Sequence, residues 1–261
     1  MGRMSSDVIG PELDWRLAVA VVLLVVLGVV VARAGRLPTA AASVRAVARA
    51  SVQLLLVAGV ITVALERVWS SVLFAGVMLG VATATAAGRV DARRSWPWIL
   101  LTLAAGVVPV LVIVFGSGAA PFEPPTIVSI CGIVIGNTMT AFALSIRRAF
   151  GDVRSRFGQV EGALALGFSR QTALTMTVDP DRPEALVPGL DQTRTVGLVT
   201  LPGAFVGVLL GGGSPGDAAA AQLIVLVGLL TAQTITVVVG SALVAQGRIL
   251  PTDLASRLPA A

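Results

Sequence analysis

Uncharged stretches bounded by arginine recur along this chain, each too long and too apolar to be comfortable in water. Leu17 to Ala32 lies between Arg16 and Arg33, Ala50 to Leu65 extends a segment that begins near Thr39 after Pro38, and Val68 to Gly88 follows. A fourth run lies within Trp96 to Gly116, a fifth covers about Pro125 to Ile146, a sixth Thr195 to Leu210 and a seventh roughly Ala218 to Gln246. About 20 apolar residues of helix cross the ~30 Å of bilayer hydrocarbon, and arginines at the edges of the shorter runs can snorkel to its surface. The runs lack the strict polar–apolar alternation of barrel strands, which leaves helices as the spanning element. The expected fold is therefore all-α: a polytopic membrane bundle of about seven transmembrane helices, forming one domain over residues 1–261. Composition agrees, with 56% hydrophobic and 13% charged residues against the ~25% charged residues of a soluble domain.

Every one of the 19 positive residues is arginine; the chain has no lysine, histidine or tyrosine. Without lysine there is no standard Walker A loop, so this chain is not its own P-loop ATPase. Without histidine, a Ser-His-Asp triad and the usual zinc sites are excluded, and the expectation is a non-catalytic chain with no cofactor of its own. The lone Cys131 lies in an apolar run and reads as a small packing residue. A pI near 11.3 suggests nucleic acid, but the arginines are scattered among short loops instead of forming a patch, so the partner is membrane lipid and no nucleic acid is expected.

The distribution of arginine predicts orientation. Sixteen of the nineteen fall in the segments after the first, third, fifth and seventh runs, and only Arg3, Arg16 and Arg67 fall in the alternate ones. The positive-inside rule then places the N-terminus outside and the C-terminus in the cytoplasm of a plasma-membrane, multi-pass protein, which requires an odd number of spans. Asp7, Glu12 and Asp14 precede the first run, so it lacks the basic start of a cleaved signal peptide. The outer loops, residues 117–124 and Gly211 to Gly216, are turn sequences. The one sizeable polar element is the cytoplasmic segment of about 147–194. Gly76, Gly80, Gly132, Gly136 and Gly240 sit in the runs at spacings that permit close helix packing.

Within the polar segment, Val153 to Met176 reads as an amphipathic helix with Val160, Ala163, Leu164 and Leu166 near one face, and such a helix needs something to pack on. Its centre, Glu161-Gly162-Ala163-Leu164-Ala165-Leu166-Gly167, resembles the Glu-Ala-Ala-xxx-Gly motif of ABC-transporter permeases, with Gly162 in place of the first alanine. Gly136-Asn137-Thr138-Met139, Arg154-Ser155-Arg156, Ala185-Leu186-Val187-Pro188 and Val196-Gly197-Leu198-Val199-Thr200-Leu201-Pro202-Gly203 extend that likeness, and together they resemble the FetB-like permease family. The resemblance implies a permease subunit that exports an iron-like metal ion, assembles as a homodimer and couples to a separate cytoplasmic ABC ATPase carrying ATP and magnesium. It further implies that Glu161, Gly162, Ala163 and Gly167 form the coupling helix. The prolines of Asp179-Pro180-Asp181-Arg182-Pro183 depart from a continuous helix.

Polar side chains in hydrocarbon are costly unless they face the bundle or a pore, which makes Gln53, Asn137, Thr138, Met139 and Gln233 the substrate-pathway candidates. The competing reading is that they hydrogen-bond between helices and fill gaps. No run contains a carboxylate, so metal-ligating residues stay unassigned. The alternative function is a stand-alone secondary transporter or channel, which ordinarily uses intramembrane acids or histidines for ion coupling.

Overall fold

The computed structural model describes residues 14–177 and 183–258. Among them the helices are α1 (Trp15–Ala34), α2 (Ala40–Ala64), α3 (Val68–Arg89), α4 (Trp96–Gly116), α5 (Pro124–Ser155), α6 (Phe157–Ala165), α7 (Arg170–Thr177), α8 (Val187–Thr195), α9 (Gly203–Leu210), α10 (Pro215–Ala245) and α11 (Thr252–Arg257). No named strand occurs among the described residues, so the all-α expectation holds. The chain forms two compact units, Met1–Thr62 and Val63–Ala261.

In the first unit, α1 between Arg16 and Arg33 and the part of α2 after Gln53 are apolar, and both helices leave almost every side chain exposed. Asp14 starts α1 by accepting the backbone N–H of Leu17 at 3.0 Å, one of the orphan donors at a helix start.

The second unit is a bundle organised on α5, which packs against α3 and α10, while α10 also packs on α4. At 32 residues α5 is about 48 Å long and runs well past the hydrocarbon thickness. Its buried residues, including Ile127, Val134, Phe142, Ile146, Phe150 and Val153, continue from one end to the other. The close helix crossings depend on Gly240, one of the glycines the motif spacing suggested, and on Gly106 and Gly228, which it did not. A Cβ on Gly106 would strike Thr236 and the Ala232 carbonyl, one on Gly228 would lie 3.0 Å from Val110, and one on Gly240 would lie 3.2 Å from Ile146. Gly132 approaches the Met78 methyl, but Gly76, Gly80 and Gly136 have open space where a Cβ would go.

Among the described residues, six helices are long and apolar enough to cross a bilayer: α1, α2, α3, α4, α5 and α10. The sixth run is where the structure differs from the seven apolar runs of the sequence. Thr195 to Leu210 is not one helix; α8 ends at Thr195, α9 has only eight residues, about 12 Å, and residues 196–202 between them are non-helical. The local sequence explains the break. Gly197 takes φ +80°, its N–H donates to the Thr200 carbonyl at 2.9 Å, and the N–H groups of Leu198, Val199 and Thr200 turn back on the Thr195 carbonyl. Pro202, lacking an N–H and disfavouring helix in the residue before it, prevents the first helix from continuing into the second.

Candidate functional site

The predicted helix over Val153 to Met176 is three elements. α5 continues to Ser155, α6 follows almost without interruption, and α7 begins at Arg170. The stop after α6 is a glycine cap: Gly167 takes φ +84°, its N–H donates to the Leu164 carbonyl at 3.0 Å, and the Phe168 N–H donates to the Ala163 carbonyl at 3.1 Å. This paired 5→2 and 6→1 arrangement satisfies carbonyls the helix end would leave orphaned, and a left-handed position suits glycine. Ser169 then starts α7 by accepting the Thr172 N–H at 3.1 Å.

One face of this helix pair is docked. Val160 is buried, Ala163 and Leu164 pack against the core, and α7 buries Ala173 and Leu174 against a bundle to which both α5 and α10 contribute. The other face is presented to the surroundings: Glu161 and Gly162 are exposed, a Cβ on Gly162 would meet nothing, and Leu166 is 79% exposed beside a half-exposed Phe168. A carboxylate next to two protruding apolar side chains, held on a pair of helices whose backs are fixed, is a shape suited to insertion into a partner's pocket.

The C-terminal turn belongs to the same site, which the sequence reading missed. Arg154, at the end of α5, donates Nε and Nη2 to the two carboxylate oxygens of Asp253 at 2.8 Å each. Arg257 lies over the Phe157 ring at 4.8 Å, and Leu254 is fully buried. The Arg154 guanidinium holds the Asp253 carboxyl below its usual range, chiefly through the hydrogen bond. Arg154 and Arg257 were signals, but only as charges near a helix end.

Beyond α7 lie Val178 to Arg182, the heart of the proline-containing departure, outside the described residues. The chain resumes in a 3-10 turn, Pro183–Ala185, tied to α5 by an ion pair between Glu184 and Arg148. α8 then packs on α10 with Gly189 directly against Gln233 and Leu230. The level of that contact follows from α4 and α10: Thr236 faces Gly106, and Gly228 faces Val110 and Val114. Gly189 therefore sits beside the middle of the α4/α10 pair. Residue 194 is placed by sequence in a cytoplasmic loop, yet α8 carries Asp191, Gln192 and Arg194 within a few residues of this mid-level contact, with Asp191 and Arg194 3.5 Å apart. Both side chains are exposed, so Asp191 lies at the level of this contact but on the outside of the bundle.

The pathway candidates do not form one cluster. Gln53 is exposed on α2, in the first unit. Asn137 is exposed, its Nδ2 donating to the Ile133 carbonyl at 2.9 Å on its own helix, and Met139 is half-buried against the core. Thr138 and Gln233 are buried, and neither Thr138 Oγ1 nor Gln233 Oε1 has a hydrogen-bond partner, so these two do not bond to one another. Such orphaned groups are costly in a bundle core, and Gln222 Oε1 shares the condition. Among the described residues, no three histidine, cysteine, aspartate or glutamate side chains come together as a metal site.

With this geometry in place, similarity to other proteins is informative. The chain is 34% identical over 136 residues to UPF0014 membrane protein STAR2 of Oryza sativa subsp. japonica, covering 52% of this chain and 48% of that protein. It is 34% identical over 139 residues to Protein ALUMINUM SENSITIVE 3 of Arabidopsis thaliana, covering 52% and 51% respectively. It is 30% identical over 142 residues to the Probable iron export permease protein FetB of Escherichia coli strain K12, covering 54% of each. The matched stretch thus spans about half the length of these curated relatives. No solved structure matches the chain. The apolar helices and the membrane proteins it resembles make it a polytopic membrane protein, and a family match over residues 15–248 places it in the uncharacterised protein family UPF0014.

Proposed function

We propose that this chain is the membrane-spanning permease subunit of an ABC-type transporter, working as a homodimer in the plasma membrane and exporting a metal ion with ATP hydrolysed by separate subunits. The observation that carries this reading is the exposed set Glu161, Gly162, Leu166 and Phe168 on a helix pair whose opposite face is buried. α5 and α6 are nearly continuous, so a force applied to α6 by a closing ATPase is passed to the end of a 32-residue helix at the centre of the bundle. Gly162 allows close approach, Ala163 and Leu164 hold the helix to the bundle, and Gly167 fixes the turn that presents Leu166. Alternation between two bundle arrangements, biased by nucleotide in the partner, then moves the cargo. The likeness to the probable iron export permease of Escherichia coli supports iron-like cargo and export. Orphaned Gln233 Oε1, beside the mid-level Gly189, supports a transient pathway on the α8–α10 side, with Thr138 on α5. The cytoplasmic side of α6 and α7 is assigned by the arginine excess.

The test is reconstitution with the partner ATPase in vesicles, measuring ATP turnover and metal flux. Glu161→Arg and Phe168→Asp are expected to uncouple both while leaving the isolated permease folded. Unchanged flux and ATPase association in both variants would remove the docking role.

A second reading, a stand-alone secondary transporter or channel, draws on the break between α8 and α9, because discontinuous helices line the sites of many secondary transporters. Metal flux in vesicles lacking any ATPase and ATP would favour it.

A further inference from the structure

α8, the break and α9 run beside α10 from its middle to its start. Gly189 lies against Gln233 and Leu230, α9 packs on α10, and residues 211–214 turn α9 into Pro215. The eight residues of α9, all apolar, separate residues 196–202 from the outer loop, so the break lies within the apolar layer of the bundle. There Leu198 is 90% and Val199 77% exposed, with Thr200 and Leu201 exposed beside them. The N–H groups of residues 197–200 are spent on the Thr195 and Thr200 carbonyls, but the carbonyls of Gly197, Leu198 and Val199 accept no hydrogen bond among the described residues. Lipid tails offer no donor, and non-helical backbone at membrane depth is tolerated only under a cover of protein or in a protein-walled aqueous cavity.

One turn before this stretch, Asp191 and Arg194 stand on the same face of α8, both exposed and joined by a single contact of 3.5 Å. Charges at this depth are costly against lipid and need partners. The rest of the chain supplies none: α1 between Arg16 and Arg33, α2 after Arg49, and residues 68–88, 96–116, 125–146 and 218–245 carry no charge. A second copy does carry the complement, because it brings another Asp191 and another Arg194 at the same depth.

We propose that α8 and the turn 196–202 form the contact between two copies of this chain about a two-fold axis, Asp191 of each reaching the partner's Arg194. The inference gives the homodimer proposed above its interface and rests on that reading. In a two-fold contact residue i meets j while j meets i, so one carboxylate and one guanidinium per copy close into a neutral set of four. Each charge gains a second partner, and the open carbonyls of the turn are covered by protein instead of lipid.

The experiment uses the full chain on a Cys131→Ala background, oxidised in the membrane and resolved by mass without reductant. Leu198→Cys is expected to link into a species of twice the chain mass, whereas Val77→Cys, 55% exposed on α3, is expected to stay single. Asp191→Cys and Arg194→Cys chains with different tags, expressed together, are expected to form the mixed disulfide in preference to either self-linked product. In nanodiscs, Asp191→Arg is expected to lose the dimer and Asp191→Arg/Arg194→Asp to regain it. Should the charge variants fail to insert, Thr200→Cys read beside Leu198→Cys gives the same answer. The proposal is overturned if Leu198→Cys stays single, links to a different polypeptide, or links no better than Val77→Cys, or if Asp191→Arg remains dimeric. A native chain that is dimeric in nanodiscs without these links overturns this interface alone; a monomeric native chain removes the homodimer as well.

Discussion

Arg154 and Asp253, 99 residues apart in sequence, grip one another through two parallel hydrogen bonds of 2.8 Å, Nε to Oδ2 and Nη2 to Oδ1. The pair fastens the C-terminal turn to the last turn of α5, immediately before the helix that presents Glu161.

Because the Asp253 carboxyl is held below its unfolded value, the stability it contributes is fully present above that value and is lost as pH falls through the lower folded one. Asp253→Asn is expected to cost about 0.2–1 kcal/mol near neutral pH, since both side chains are about half exposed, and to cost nothing once the native carboxyl is protonated. Thermal unfolding of native and variant chains at pH 7 and below about pH 3 checks this; equal differences at both would show that the charge is not what matters.

Gly167→Ala places a side chain at φ +84°, for a cost of roughly 1–2 kcal/mol, while leaving Glu161 and Leu166 chemically intact. Reduced coupling between ATP turnover and flux with normal expression is the expected phenotype. Hydrogen exchange at the amides of residues 163–168 measures the predicted loosening of the cap directly.

Two glycines separate packing from spacing. Gly106→Ala drives a methyl into Thr236 and the Ala232 backbone, and overpacking of this kind costs about 1–3 kcal/mol. Gly136→Ala meets open space and is expected to be neutral or to stabilise by up to about 1 kcal/mol through helix propensity. Detergent melting curves for the two variants should move in opposite directions or differ by several degrees.

Gln233→Met removes an orphaned amide from a buried position with little change in volume. Its stability is expected to hold or rise, because the unsatisfied oxygen costs about 1–3 kcal/mol where it is. A simultaneous fall in metal flux would mark Gln233 as part of the pathway; unchanged flux would mark it as packing.

Sidedness is open to labelling with cysteines introduced at Glu161 and at Gly212, on a background where native Cys131 is buried. Membrane-impermeant reagent is expected to reach Glu161→Cys only from the cytoplasm and Gly212→Cys only from outside. Labelling of both from one face would refute the arginine-based orientation.

The apolar runs determined the six long helices and the all-α class by themselves, because the transfer of a helix into hydrocarbon is a sum over neighbouring residues and needs no knowledge of the rest of the chain. The polar segment after α5 was legible for the same reason, but the single helix expected over Val153 to Met176 ran through Gly167, whose cap ends α6. The sixth run misled because its hydropathy says nothing of the backbone, and Gly197 with Pro202 broke it into α8 and α9. Only tertiary structure decided that Gly189 lies against Gln233 at mid-level, that Asp253 closes on Arg154, and that Thr236 faces Gly106. These are contacts between residues tens to more than a hundred positions apart, whose energies depend on distance and burial in the folded chain, and no window of sequence contains both partners.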